Sequence, residues 1–313
     1  MWALVLRRLL LTLPTLLGAS LIVFAMVKLA PGDPISILMP PDAGKAEIEA
    51  VKEALGLDRP LPVQYVKWLE RAVLHGDLGR SIATRRPVVQ DVFDGLRNSV
   101  ILALASSVLA LIPGLALGTL AAFRRGRVVD KVVSAVAITG VSVPHYWAGI
   151  ILVIVFSVRL GWLPAMGGPS DPGLLPYLRH MLLPAVALAL IPLGVIARVV
   201  RSAALDILAQ EFVLALRAKG LGRGMIFAHV VKNAAPQILT VIGLQFGFLL
   251  GGSVLVETVF SWPGTGYLMN LAIFQRDLPV LQGVILVLAT FFVLLNLAVD
   301  LAQTLVDPRI ARH

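Results

Sequence analysis

Apolar residues run through this chain in long blocks, and Asp, Glu, Lys and Arg fall between the blocks. Six stretches free of those four residue types cover 9–27, 98–123, 132–158, 180–197, 233–256 and 278–299. Each is close to the roughly 20 apolar residues that a helix needs to cross a bilayer. Lipid offers the backbone no hydrogen-bond partner, so these stretches are expected to be helices. A seventh charge-free stretch, 258–275, contains "SWPGTGY". Its Pro and Gly interrupt a helix, so it is expected to be a re-entrant or outer loop. The pattern predicts an all-α polytopic membrane protein with six transmembrane helices. The fourth and sixth are expected to extend over about 180–201 and 278–303.

Composition agrees. Of 313 residues 58% are hydrophobic and 14% are charged, against about a quarter charged in soluble domains. Mean hydropathy is +0.88. The absence of cysteine excludes disulfides, thiolate nucleophiles and cysteine metal ligands. The basic start and apolar middle of "MWALVLRRLLLTLPTLLGASLIVFAMVKLA" resemble a signal peptide. The middle is too long for one and no clear small-x-small site follows, so an uncleaved span is expected.

The net charge of +9 gains meaning from its distribution. The connections 1–8, 124–131, 198–232 and 300–313 hold 14 Lys and Arg, whereas 159–179 and 257–277 hold 3. The positive-inside rule places the first set, and with it both termini, in the cytoplasm. The connection 28–97 carries 10 basic residues, but long loops translocate whatever their charge. It reads as a small helical extracytoplasmic segment between the first two spans. "AEIEAVKEALG" puts Ile48, Val51 and Leu55 on one face with Gly56 as a C-cap, and "LPVQYVKWLERAVLHGDLG" forms a second helix closed by glycine. The segment is either a cap over the first span or a surface for an outer partner.

Candidate chemistry is sparse. No lysine is followed by Ser or Thr, so a P-loop is excluded and the chain is not expected to bind ATP. The six runs contain no carboxylate and no lysine, which argues against an ion-coupled carrier. His145, in "SVPHYWAG", lies deep in a run; it is a pore-lining or kink residue, or less simply a proton relay. No metal-ligand spacing and no Ser/His/Asp set is apparent. Run 132–158 would span ~40 Å against a hydrocarbon core of ~30 Å, so it is kinked at Pro144 or tilted.

The region 202–232 is the exception. Leu205, Leu208, Phe212, Ala215 and Lys219 recur at three- and four-residue steps, which predicts one helix over 202–219. Gly220, Gly222 and Gly224 end it, and a short helix over about 225–232 leads back to the membrane. Such an apolar-and-basic helix can lie on anionic lipid or enter a groove on another protein.

"ALRAKGLGRGMIFAHVVKNAAP" resembles the EAA loop of ABC importer permeases, in the form used by dipeptide, oligopeptide, glutathione and nickel permeases. The hallmark glycine falls on Gly220. The Glu-Ala-Ala falls on Leu214, Ala215 and Leu216, so only the middle alanine matches, and the terminal proline falls on Asn233, with Pro236 following. "RRLLLTLPTLLGASLIVFAMVKLAPGDP", "HGDLGRSI", "FSVRLGWLPAMG", "GLQFGFLLGGSVLVETVFSWPGTGYL" and "NLAVDLAQTLVDPRIA" resemble further parts of the family in order.

The resemblance implies the type I ABC importer permease fold. The chain then divides into a first spanning helix 1–30, an outer segment 31–97 and a permease domain 95–304 containing a coupling loop 202–232. It implies a non-catalytic subunit that pairs with a second, homologous permease as a heterodimer. Two cytoplasmic ATPase subunits, which use ATP and Mg, and an extracytoplasmic substrate-binding protein complete the complex. This chain binds no cofactor and no metal, and its other partner is membrane lipid, not nucleic acid. The coupling residues implied are Phe212, Ala215, Leu216, Arg217, Ala218, Lys219, Gly220, Leu221 and Arg223. Asn98, Ser142, His145, Gln245 and Glu257 are polar candidates for the translocation path. Short peptides are the first expectation for the cargo, then glutathione, then nickel. A stand-alone channel or ion-coupled carrier is the alternative of another class.

Overall fold

The computed structural model describes residues 2–29, 44, 49, 58–168 and 173–306. The predicted helix around Ile48, Val51, Leu55 and Gly56 lies outside them. The described helices are α1 (Trp2–Leu29), α2 (Leu61–Leu74), α3 (Val88–Phe123), α4 (Val128–Ser142), α5 (His145–Leu152), α6 (Leu174–Leu208), α7 (Glu211–Ala218), α8 (Arg223–Phe260), α9 (Thr265–Gln275) and α10 (Leu278–Val306). Among the described residues, five helices (α1, α3, α6, α8 and α10) are long and apolar enough to cross a membrane. The number is six if α4 and α5 together form one span.

The helices outrun the apolar runs that announced them. α3 has 36 residues and α8 has 38, roughly 54 and 57 Å at 1.5 Å per residue. Both continue beyond the hydrocarbon thickness, where charged side chains are tolerated. The short helix expected at 225–232 is therefore not separate; it is the first part of α8. Pro236 sits inside α8 without ending it, and Thr240 Oγ1 donates to the Pro236 carbonyl at 3.0 Å.

The third run is broken. α4 ends at Ser142, Val143 is extended (φ −84°, ψ 123°) and Pro144 precedes α5. The pyrrolidine ring disfavours the helical region for the residue before it. The two pieces meet at 101°, a break and not a tilt of one rod. α5 continues as a π-helical stretch, Val153–Arg159. The stretch 258–275 forms the end of α8, a turn and the 11-residue α9, too short to cross a bilayer.

The chain divides into two compact units: Asn98–Tyr267 with the segment from Leu295 onward, and Trp2–Arg97 with Leu268–Leu294. In the first unit α6 is the central helix, packed by α4, α5 and α8. Small residues set the approach. A Cβ added to Gly118 of α3 would stand 2.5 Å from the Ala197 carbonyl oxygen, and one on Gly114 would stand 2.9 Å from Ile196 Cγ2. On α6, a Cβ at Gly194 would run into the Ala137 carbonyl oxygen of α4. Without a hydrophobic driving force between helices in lipid, such backbone-close contacts carry much of the association.

In the second unit Val88, Val92, Ala272, Val280 and Val284 form a buried cluster. Asp277 caps α10: its Oδ1 accepts from the Val280 amide at 3.4 Å, and its Oδ2 accepts from Ser81 Oγ and from the Ala83 amide. Phe24 of α1 meets Tyr65 of α2 edge-on at 5.5 Å, and Ser20 shares a 2.7 Å hydrogen bond with the Tyr65 hydroxyl.

Candidate functional site

The segment 202–232 does not form the single helix that its periodicity predicts over 202–219. α6 runs without interruption to Leu208, Ala209 and Gln210 turn, and α7 begins at Glu211. The break changes the phase of the apolar stripe. Val213 is the fully buried anchor of α7, packed in a cluster with Ala122, Ala203, Ala204, Ile207, Ile226, Val230 and Ala234. Phe212 and Leu221 pack against this cluster, and Leu216 is half-buried. Ala215, Arg217, Ala218, Lys219, Gly220 and Arg223 are exposed. Leu214, singled out only as a place in the motif, is 69% exposed.

The end of α7 explains the need for glycine. Gly220 has φ +77°, a left-handed conformation that costs a residue with a Cβ roughly 1–2 kcal/mol. Its amide donates to the Arg217 carbonyl at 2.9 Å, and the Leu221 amide donates to the Leu216 carbonyl at 3.2 Å. These two bonds satisfy the last carbonyls of α7 and return the chain to the Leu221 side of the cluster. α7 is thus a short helix pinned on one face, with the other face and its basic end free.

A second contact fixes the same end of this unit. Asp130, in the first turn of α4, accepts Arg201 Nε at 2.6 Å and Nη2 at 3.0 Å, and the Gly126 amide at 2.9 Å. Phe123 of α3 lies 5.7 Å from Phe227 of α8. The connections 124–131 and 198–232 therefore share one end. About 38 Å away along α3, from Asn98 to Phe123, the other end is built. There Asn98 Nδ2 donates to the Pro263 carbonyl at 2.9 Å, and Trp262 Nε1 donates to the Asn98 carbonyl at 3.2 Å. The Gly167 amide donates to the Phe260 carbonyl at 2.8 Å. The basic-rich and basic-poor connections of this unit thus gather at separate ends.

The five polar path candidates do not form one cluster. Asn98 belongs to the Trp262–Pro263 layer. Ser142 is exposed and bonds its own helix, at the Ile138 carbonyl. His145 is half-buried just past the break, its ring edge-on to Tyr146 at 6.3 Å, and its buried Nε2 has no partner. Gln245 Oε1 and Ser107 Oγ are likewise buried and unpartnered. Both residues line a 240 Å³ cavity between apolar side chains of α3, α6 and α8.

Glu257 is fully buried. Its Oε1 accepts from Ser99 Oγ at 2.7 Å, and its Oε2 accepts from the amides of Gly266 (2.7 Å) and Tyr267 (3.2 Å) in the first turn of α9. Ser99 also accepts from the Thr265 amide at 2.9 Å. Ser99 has one proton and gives it to Glu257, so in its 2.9 Å contact with Thr265 Oγ1 the threonine is the donor. The carboxyl group thus occupies the N-terminus of α9, where helix amides and dipole favour an acceptor. No local pattern points Glu257 to a partner, because Ser99 lies 158 residues away. Among the described residues no group of three or more His, Asp or Glu is placed to hold a metal.

Comparison with known proteins follows the same lines. The family described as binding-protein-dependent transport system inner membrane component matches residues 114–312, and its N-terminal component matches 1–103. The dipeptide transport system permease protein DppB of Alkalihalophilus pseudofirmus is 38% identical, over 99% of this chain and 99% of its own length. The glutathione transport system permease protein GsiC of Salmonella choleraesuis is 39% identical over 98% of each chain. Among solved structures, an inward-facing form of the MetNI methionine ABC transporter superposes with a TM-score of 0.58 at 20% identity. The match covers 69% of this chain and 96% of that one, and it shows a shared fold. The chain therefore belongs to the inner membrane components of binding-protein-dependent transport systems, as a multi-pass permease of the ABC class.

Proposed function

We propose that this chain is one half of the translocation pathway of an ATP-driven importer of short peptides. A second, homologous permease supplies the other half, two cytoplasmic ATPase subunits bind ATP and Mg, and an outer binding protein delivers the cargo. The observation that carries the coupling role is the construction of α7. Val213 is buried among residues of both flanking membrane helices, while Leu214, Ala215, Arg217, Ala218 and Lys219 face outward. A load on the outward face is delivered through Val213 to α6 and α8 together. Rigid-body displacement of packed helices is the established way such a load alters a pathway. In this reading the basic-rich end, with both termini, is cytoplasmic.

Short peptides come first because relatives named for dipeptide and peptide transport align over nearly the whole chain. Glutathione, itself a peptide, is the second reading, since relatives of that name match at 39%. Nickel gains no support from the relatives compared. Glu257, locked by Ser99 and by the Gly266 and Tyr267 amides, acts as scaffold in this reading. His145 and Gln245, each with a buried unpartnered polar atom, remain the candidates to meet cargo.

The test uses the assembled complex in vesicles. Arg217→Glu reverses a charge on the outward face. Gly220→Pro demands φ near −65° where the chain has +77° and removes the amide bond to Arg217. Both variants are expected to insert at normal levels and to lower uptake about tenfold or more. Normal uptake by both at normal membrane levels contradicts the docking role of α7. Loss in Gly220→Pro alone assigns the role to geometry without charge.

A further inference from the structure

Asp130 and Arg201 are 71 positions apart, and no motif announces them. The guanidinium meets the carboxylate through two nitrogens, and the Gly126 amide supplies a third donor. A two-point contact of this kind fixes orientation as well as distance. The Asp130 side chain is 7% exposed and that of Arg201 is 32% exposed. Partly buried pairs of this sort contribute little net stability, because desolvation offsets the attraction. Their use lies in geometry.

The surroundings show what is being positioned. Elsewhere along α4 and α6 the closest contacts are glycine against backbone, beside the buried Val133 and Ala137. Gly194 approaches the Ala137 carbonyl, and a Cβ at Gly140 would stand 3.2 Å from the Leu190 oxygen. Such surfaces carry no directional bond and permit sliding. The ion pair pins them at one end only. Arg201 stands within two turns of Ala203, Ala204 and Ile207, the α6 residues of the cluster that receives Val213 of α7. Asp130 opens α4, whose far end is the 101° break at Val143–Pro144.

We infer that the Asp130–Arg201 pair is a positioning joint: it passes displacement of α7, through α6, to the broken span formed by α4 and α5. The inference rests on the proposed coupling role of α7 and adds the route by which the load reaches the bent span. α4 carries no part of the α7 cluster, so without the pair only non-directional packing, at the glycines and at Val133 and Ala137, would carry it along. Arg124, Arg125, Arg127 and Lys131 flank the joint but are exposed, and Asp130 is already engaged by three donors.

Two measurements test it. The chain has no cysteine, so spin labels can be placed at Lys131→Cys and Ser202→Cys, exposed positions beside the pair. In the full-length chain the inter-label distance distribution is expected to be narrow. It should broaden in Asp130→Asn and in Arg201→Gln, and narrow again in the charge swap Asp130→Arg with Arg201→Asp. An unchanged distribution in the single variants overturns the joint, whatever the chain transports.

The second measurement is solute imported per ATP hydrolysed by the reconstituted complex. Each single variant is expected to lower this ratio at least about fivefold while hydrolysis continues, the scale of an ordinary coupling effect. The double neutral variant should be no worse than either single one, and the swap should recover part of the ratio. A fall in complex yield with an unchanged ratio overturns the inference in favour of a purely structural pair. If the wild-type complex imports nothing on ATP, the proposed function and the coupling role fall together, and the distance measurement still decides the joint.

Discussion

Glu257→Ala is expected to destabilise the chain by about 3 kcal/mol, the cost of leaving one buried and one part-buried amide without acceptors at roughly 1–3 kcal/mol each. The amides are those of Gly266 and Tyr267, at the start of α9. The Ser99 hydroxyl also loses its acceptor but can turn its proton to Thr265 Oγ1, 2.9 Å away, so the damage concentrates on the backbone. Glu257→Gln separates shape from charge. Its amide oxygen can keep the two backbone donors, and its NH2 can donate to Ser99 once Ser99 turns to Thr265. The glutamine variant should therefore cost only about 1 kcal/mol, one ordinary hydrogen bond. The readout is the fraction of purified protein that stays monodisperse in detergent after heating. Equal behaviour of the alanine variant and the wild type contradicts the scaffold role. The site has no room for adjustment: a Cβ on Gly264 would stand 2.5 Å from Ser99 Oγ, and one on Gly266 would stand 2.5 Å from the Val254 Cα.

Gly194→Val is expected to separate α4 from α6 and to cost about 3 kcal/mol, the upper end of ordinary overpacking. The first atom in the way is the carbonyl oxygen of Ala137, which belongs to the backbone of α4 and cannot rotate aside; Val141 Cγ2 follows at 2.9 Å. α6 has a second obligation on another side, where Gly114 and Gly118 of α3 press against Ile196, Ala197 and Val200. Retreat from α4 is therefore blocked by α3. Gly251→Ala is the control. Nothing lies within 4 Å of its added Cβ, and alanine is the better helix former by about 1 kcal/mol. The same heating assay should show Gly194→Val lost first and Gly251→Ala unchanged or improved. Equal retention of the two variants contradicts the close-packing account.

The spans were legible because charge in hydrocarbon is costly, so each run announces itself by what it lacks. Helix ends were not legible by the same signal. Charged residues such as Arg97 and Lys232 stop a charge-free run but do not stop a helix once it has left the lipid, and α3 and α8 continue through them. Pro144 was visible as a kink or tilt problem. The 101° break required the extended Val143 that only the structure shows.

The segment 202–232 was legible as helix ended by glycine and was mistaken in the face it buries. Periodicity across 202–219 assumed one unbroken helix, which put Phe212 and Ala215 on one stripe. The turn at Ala209–Gln210 resets the phase, sends Val213 inward and Leu214 outward. Gly220 was expected to end the helix, and it does, with the left-handed φ of +77° that the structure adds. Partners far apart in the chain, Asp130 with Arg201 and Ser99 with Glu257, left no trace in local pattern.

The most direct test of the account compares the chain alone with the chain in its complex, in sealed vesicles offered a labelled dipeptide. The chain alone should accumulate none above equilibrium, with or without ATP or an ion gradient. With a second permease, ATPase subunits and a binding protein, accumulation should appear and depend on ATP. Concentrative uptake by the lone chain contradicts the account, because it places the driving machinery inside a polypeptide whose charge-free membrane runs hold no carboxylate and no lysine.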